Sequence, residues 1–229
     1  MWCGAGNAVR GLAAAACAAG LLTGCGQGGG EGEARASGTP SASASASGEK
    51  AARAVGSVGG AGSACELPVT FALAERWHPD AVSLGADADP PLDEEVAEEV
   101  AALARQGYVT LACELDAKPA GHIGFLRVYT GEPGDADARQ VLEAFLRAED
   151  GVEEAEYRSF RSGPLSGTEV QYRHTVEVLD ETRTERALAV VAPDGPVVLQ
   201  LGGLDDEEHR DMLPAYELAK QTLRVTARR

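Results

Sequence analysis

The segment between residues 26 and 64 restricts how this chain can fold, because it offers almost nothing to a core. It contains Gly28-Gly29-Gly30 and a serine–alanine alternation over residues 41–47, and its large aliphatic residues are Val55 and Val58. Such a composition cannot bury enough apolar surface to offset the conformational entropy lost on folding. We therefore expect a disordered Gly/Ser/Ala-rich linker with an r.m.s. span of roughly 35 Å.

The residues after this linker, 65–229, are enough for one ordinary domain with its own core. Segments with alternating apolar residues outnumber segments with helical periodicity, and most consecutive strands are separated by short turns. This order predicts an α+β domain in which an antiparallel β-sheet is flanked by helices. The predicted strands cover residues 67–73, 108–115, 121–129, 152–160, 168–179, 182–191 and 197–201.

Three helices are expected, beginning near Pro90, Asp137 and Asp205. The first should be amphipathic, and Pro214 should break or restart the last. The predicted apolar stripe of the first helix recurs at i, i+4, i+8 and i+11 and is formed by Leu92, Val96, Val100 and Leu103.

The first 24 residues have the organisation of a signal peptide. Arg10 precedes an alanine-rich apolar run over residues 11–22. This run is about half as long as the ~20 residues that span a bilayer. A short apolar core behind a positive charge is typical of a segment that is removed from the mature protein.

The four residues Leu22-Thr23-Gly24-Cys25 resemble the lipobox of bacterial lipoproteins, in which small residues lead into an obligatory cysteine. The resemblance implies cleavage before Cys25 and attachment of acyl chains, palmitate among them, to the new N-terminus. Two or more acyl chains anchor a protein stably without a transmembrane helix. We therefore expect a signal peptide over 1–24, a lipidated cysteine and linker over 25–64, and a domain on the extracytoplasmic face of the cell membrane.

Of the five cysteines, Cys3 and Cys17 leave with the signal peptide and Cys25 takes the lipid. Cys65 and Cys113 remain. An even pair outside the cytoplasm indicates a disulfide bond, and two separate buried thiols are the alternative.

The chain is acidic, with a formal net charge of −16. This charge argues against nucleic acid as a partner and against docking on anionic lipid headgroups. A basic partner or a cation remains compatible with it. No cofactor is predicted.

The histidines and Ser166 form no recognisable catalytic motif. No H-E-x-x-H sequence occurs, and Ser166 does not lie in a G-x-S-x-G motif. His174 lies on an apolar strand face and is expected to be a satisfied core residue, whereas His209 lies in a charged helical turn and should be exposed. No catalytic or metal-binding residue is predicted.

Arg127 is the preferred polar anchor for a ligand, because it alternates with Phe125 and Tyr129 on a predicted strand. The alternative is that an acidic residue of the sheet pairs with its guanidinium.

Three blocks of sequence resemble the PsbP-like α/β/α sandwich of actinobacterial lipoproteins of the LpqN type, over roughly residues 65–226. They are Val69-Thr70-Phe71 with Trp77, residues 113–121, and residues 124–128. The resemblance implies a domain that binds or assists partner proteins and is not an enzyme. The first hypothesis is thus a non-catalytic interaction or accessory lipoprotein of the cell envelope. The alternatives are a lipoprotein that binds a small lipid, glycan or metabolite, and a hydrolase with a dispersed active site.

Overall fold

The structure is a computed structural model that describes residues 51–84 and 93–227. The predicted signal peptide, Cys25, most of the predicted linker and the predicted helix start at Pro90 lie outside the described residues.

Within the described residues, strands and helices follow the order that the alternation predicts, and the α+β class is confirmed. The strands are β1 (Ala54–Val58), β2 (Val69–Ala74), β3 (His78–Ala81), β4 (Arg105–Gln106), β5 (Val109–Asp116), β6 (Gly124–Thr130), β7 (Val152–Ser162), β8 (Leu165–Val176), β9 (Glu181–Ala192), β10 (Gly195–Gly203) and β11 (Arg224–Val225). The helices are α1 (Glu94–Leu103), α2 (Ala138–Arg147) and α3 (Asp206–Thr222).

The strands form two antiparallel sheets. The eight-stranded sheet has the order β3-β5-β6-β10-β9-β8-β7, with β4 paired to β5, and the three-stranded sheet has the order β1-β2-β11. α2 packs on one face of the large sheet, while α3 and the small sheet pack on the other. Each face has its own core, because successive strand residues point to opposite sides.

The N-terminal limit of the predicted domain is wrong, because β1 lies within the segment assigned to the linker. β1 pairs with β2 in an antiparallel ladder that places Val58 opposite Phe71, and both side chains are buried. The rest of β1 is exposed. Its order therefore comes from backbone hydrogen bonds to β2 and a single apolar anchor, which composition does not reveal.

Three residues of the predicted apolar stripe, Val96, Val100 and Leu103, lie in α1 but are not buried, and Leu92 lies outside the described residues. No residue of α1 is buried, and Val96 and Leu103 are 43% and 87% exposed. α3 also departs from prediction, because it continues through Pro214. Buried Met212, Ala215 and Tyr216 hold the turns on either side of the proline, so packing outweighs the lost backbone hydrogen bond.

The predicted disulfide between Cys65 and Cys113 is present, with a Cα–Cα distance of 6.0 Å. Cys65 precedes β2 in the small sheet and Cys113 lies in β5 of the large sheet. Both residues are fully buried. The bond therefore joins the two sheets covalently.

The prediction that His209 is exposed is wrong, since it is 2% exposed on the inner side of α3. Among the described residues, neither of its ring nitrogens has a hydrogen-bond partner. Burial and the positive charge of Arg186 lower the pKa of His209 to about 4. Its imidazole is therefore neutral at physiological pH.

Because the pKa of His209 is lower in the folded state, the unfolded chain binds more protons between pH 6.5 and 4. Burial of the neutral imidazole therefore leaves the free energy of unfolding at its full value above pH 6.5. This free energy decreases as the pH falls from 6.5 towards 4. We expect the free energy of unfolding to drop by about 2–3 kcal/mol from pH 7 to 4.5 through this residue. Urea denaturation at both pH values would measure the change.

His209→Met should lose this part of the pH dependence, whereas His78→Gln, at an exposed position, should keep it. An unchanged pH dependence in His209→Met would contradict the assignment.

Candidate functional site

The face of the large sheet that carries α2 is only partly covered by that helix. α2 has ten residues, which makes it about 15 Å long. Its start is fixed by a capping box between Asp137 and Gln140, and its buried residues pack on the sheet. Beyond its C-terminal end, the same sheet face carries polar side chains. The buried residues of α2 that pack on the sheet are Val141, Leu142, Phe145 and Leu146.

Strand register brings the polar side chains together. β8 and β9 pair so that Tyr172 lies opposite Glu185, and His174 lies opposite Arg183. Glu149 follows the end of α2 and reaches the same place. We call Glu149, Tyr172, His174, Glu185 and the neighbouring Gln200 the sheet-face cluster.

Two carboxylates of the cluster face one imidazole. The Nδ1 atom of His174 lies 3.2 Å from Oε1 of Glu185 and 3.5 Å from Oε1 of Glu149. The hydroxyl of Tyr172 lies 3.0 Å from Oε2 of Glu185 and 3.2 Å from Oε2 of Glu149. Gln200 donates from Nε2 to the same Glu185 oxygen, at 2.8 Å. Each carboxylate is thus held at both oxygens.

The charges of the cluster are strongly linked. The hydrogen bond to Glu185 raises the pKa of His174. Burial opposes ionisation of Glu185, but its hydrogen bond to His174 and the charge of Arg183 still hold its pKa below the usual range. Burial and the nearby charge of Glu185 raise the pKa of Glu149. The site therefore favours a positive charge between the two carboxylates.

Arg127, the predicted ligand anchor, already has a partner. Its Nε donates to Oε1 of Glu114 at 2.7 Å, across the β5–β6 pair. Its guanidinium also lies 5.1 Å from the centre of the Phe125 ring. The structure thus has the acidic partner that was the alternative to a ligand role for Arg127.

The other histidines do not join the cluster. His78 lies 3.5 Å from Asp80, and His122 lies 3.3 Å from Glu208, each at a separate place. His209 is buried under α3. Within the residues described, the four histidines do not converge in one cleft.

A groove with a volume of about 880 Å³ lies at one end of the large sheet, and we call it the sheet-end groove. Its walls are the starts of β4 and β5, the loop between β6 and α2, and the turn between β9 and β10. The charged residues that line it are Glu132, Asp135, Asp194 and Arg105. Tyr108, which is 58% exposed, also lines it.

Glycines allow the walls of the groove to meet. Gly195 has a φ of 121°, and a Cβ atom there would collide with the carbonyl oxygen of Gly131. A Cβ on Gly131 would in turn collide with the carbonyl oxygen of Tyr108. The position of Tyr108 is therefore fixed by backbone-to-backbone contacts that only glycine permits.

Comparison with known proteins identifies the class. Residues 35–223 match a family of uncharacterised lipoproteins, and the chain belongs to this family. It is a lipoprotein associated with a membrane on the extracytoplasmic side. Among the described residues, no helix combines the length and the apolar character needed to cross a bilayer.

Two solved structures are similar to the chain. One is the cyanobacterial PsbP (CyanoP) of Synechocystis sp. PCC 6803, at 12% identity and a TM-score of 0.46, covering 69% of this chain and 86% of that chain. The other is LpqN, involved in cell envelope biogenesis of Mycobacterium tuberculosis, at 16% identity and a TM-score of 0.38, covering 73% and 88%. No curated protein matches the chain significantly.

Sequence reasoning missed Glu149, Glu185 and Gln200. One signal was available for Glu185, because it continues the inward alternation of Ala187 and Ala189 towards the charged start of β9. A carboxylate on an apolar strand face needs a polar partner. No comparable sequence pattern exists for Glu149, because the point at which α2 ends determines its position.

Proposed function

We propose that the chain is a non-catalytic accessory lipoprotein of the cell envelope, anchored through lipid on Cys25. Its domain binds a basic segment of an envelope protein in the sheet-end groove. The observation that carries the proposal is the size of this groove together with its acidic lining.

Charge favours a basic partner. Glu132 and Asp135 outnumber Arg105 in the groove lining, and the chain as a whole is strongly acidic. A cleft lined by one sign of charge raises the local concentration of oppositely charged groups. The groove is therefore suited to a lysine- or arginine-containing segment.

Tyr108 supplies the apolar part of the recognition surface. Its ring is more than half exposed, although most large aromatic side chains gain from burial. Exposed tyrosines at the centre of a cleft are frequent anchors in protein interfaces, where they bury apolar area and keep a hydroxyl for hydrogen bonding.

The two alternatives receive less support. A hydrolase receives less support because the described histidines lie at separate places, and none of them lies beside the carboxylates of the sheet-end groove. A carrier of a small lipid, glycan or metabolite would need an enclosed cavity between sheet and helix, but fully buried side chains occupy both of these layers. Examples are Phe145 of α2, Tyr216 of α3 and Leu199 of β10.

Site-specific photo-crosslinking in intact envelopes would test the proposal. A benzophenone side chain at position 108 should give one discrete adduct with a partner protein. The same side chain at Val178, which is exposed in the β8–β9 turn at the opposite end of β9, should not.

The double variant Glu132→Lys, Asp135→Lys should reduce the adduct at position 108 at least about threefold, because it reverses the charge of the groove. Raising the salt concentration should weaken the same adduct. An adduct that is insensitive to both changes, or that forms equally at position 178, would contradict binding in this groove.

A further inference from the structure

We infer that Glu149, His174 and Glu185 form a binding site for one divalent transition-metal ion, with Zn²⁺ as the representative case. One nitrogen and two carboxylate oxygens of these residues lie within 4.8 Å of one another. An imidazole with two carboxylates is a ligand set that Zn²⁺ binds in proteins. The site is separate from the sheet-end groove and does not depend on the proposed function.

The two distances from His174 to the carboxylates match the edges of a metal coordination polyhedron. Ligands bound to Zn²⁺ at about 2.1 Å with tetrahedral angles lie about 3.4 Å from one another. Nδ1 of His174 lies 3.2 Å from Glu185 and 3.5 Å from Glu149. A small movement of the side chains is therefore enough to admit the ion.

Neighbouring residues hold both carboxylates in the orientation that the ion needs. The hydroxyl of Tyr172 lies between the outer oxygens of Glu149 and Glu185 and can donate its one proton to either of them. Oε1 of each carboxylate faces His174. Gln200 fixes Glu185 further. Arg183 donates from Nε to Oε1 of Glu185 at 3.0 Å, so this oxygen would be shared between the guanidinium and the ion. Hydrogen bonds of this kind orient the ligands of protein metal sites.

The electrostatics of the site favour a cation. Glu185 is almost fully buried, and placing a second carboxylate beside it is costly unless a positive charge lies between them. Arg183 supplies part of that charge in the absence of metal, 3.0 Å from Oε1 of Glu185. Zn²⁺ would bind at Nδ1 of His174 and add positive charge between the two carboxylates, with water in the remaining position. The side chains of Glu149 and His174 are each 15% exposed, which gives the ion a route from solvent.

A bound ion would connect three separate elements. Glu149 follows α2, His174 belongs to β8 and Glu185 belongs to β9. The ion would therefore fix the C-terminal end of α2 to the sheet. Since metal binds the folded site, it should stabilise the native state.

The test uses the full-length lipoprotein in detergent, freed of metal by chelation. Titration calorimetry with Zn²⁺ at neutral pH should show one equivalent bound, and Co²⁺ should give visible absorption bands typical of a tetrahedral site. Zn²⁺ should also raise the thermal unfolding midpoint.

Glu149→Gln and His174→Gln should each weaken Zn²⁺ binding at least about tenfold and abolish the rise in the midpoint. His122→Gln is the matched control, because it removes another histidine–glutamate pair that lacks a third ligand. Circular dichroism would establish that the variants are folded. Absence of binding, binding that persists in both site variants, or equal loss in the control would overturn the inference.

Discussion

Replacing Cys25 with alanine is expected to move the protein from the membrane fraction to the membrane-free supernatant. Lipidation needs the cysteine sulfur, so the variant has no acyl chains. Each buried methylene contributes about 0.8 kcal/mol to membrane binding, so two long chains account for nearly all of the affinity. The described domain is unsuited to replace the anchor, because its charge is predominantly negative. Fractionation followed by quantitative immunoblotting would measure the shift.

Cys17→Ala is the control for this experiment, because Cys17 lies within the predicted signal peptide and should not carry lipid. That variant should stay with the membrane. Mass spectrometry of the N-terminal peptide should find acyl chains on Cys25 in the control and none in Cys25→Ala. If Cys25→Ala fractionates like the natural protein, the lipid anchor is wrong.

Loss of the disulfide bond should be the largest change in domain stability. Cys65 and Cys113 are separated by 48 residues. In the chain-entropy model, a closed loop of this size stabilises the folded state by about 4 kcal/mol, because it restricts the unfolded chain. The double variant Cys65→Ala, Cys113→Ala should lose stability of this order, measured as the free energy of unfolding in urea.

Reduction provides an internal control for the disulfide prediction. A reducing agent should lower the stability of the natural protein to nearly that of the double variant, and should leave the double variant unchanged. Equal stability of the oxidised and reduced natural protein would show that the bond contributes little.

Much of the large sheet could be predicted, because its pattern is local. β8 alternates, β10 is a short and nearly continuous apolar run, and the Pro193–Asp194 turn identifies the β9–β10 hairpin. β1 could not be predicted in the same way. Its side chains are mostly exposed, and it is ordered by backbone hydrogen bonds to β2. These bonds form only in the folded chain and leave no pattern in the sequence.

His209 shows how a charged neighbourhood can mislead. Residues 206–208 and Arg210 are charged, which suggested an exposed turn. However, His209 shares helical periodicity with Met212, Tyr216 and Ala219, and that whole row is buried. The period of a helix was therefore a better guide to burial than local polarity.

The candidate sites depend on non-local geometry. Glu149, His174 and Glu185 have no motif-like spacing, and strand register together with the end of α2 brings them to one place. The groove likewise depends on close approach between Gly131 and Gly195. Sequence patterns predict which face of a strand is buried, but they do not predict which side chains from different elements meet.

The junction between β1 and Cys65 also determines how the domain bears mechanical load. A pull on the N-terminal side of the domain acts first on β1, which can be unzipped from β2 one backbone pair at a time. The unzipping then reaches Cys65, and the disulfide transfers the force to Cys113 in β5. Tension from the proposed membrane tether would thus be passed by a covalent bond into the large sheet before β2 could be extracted.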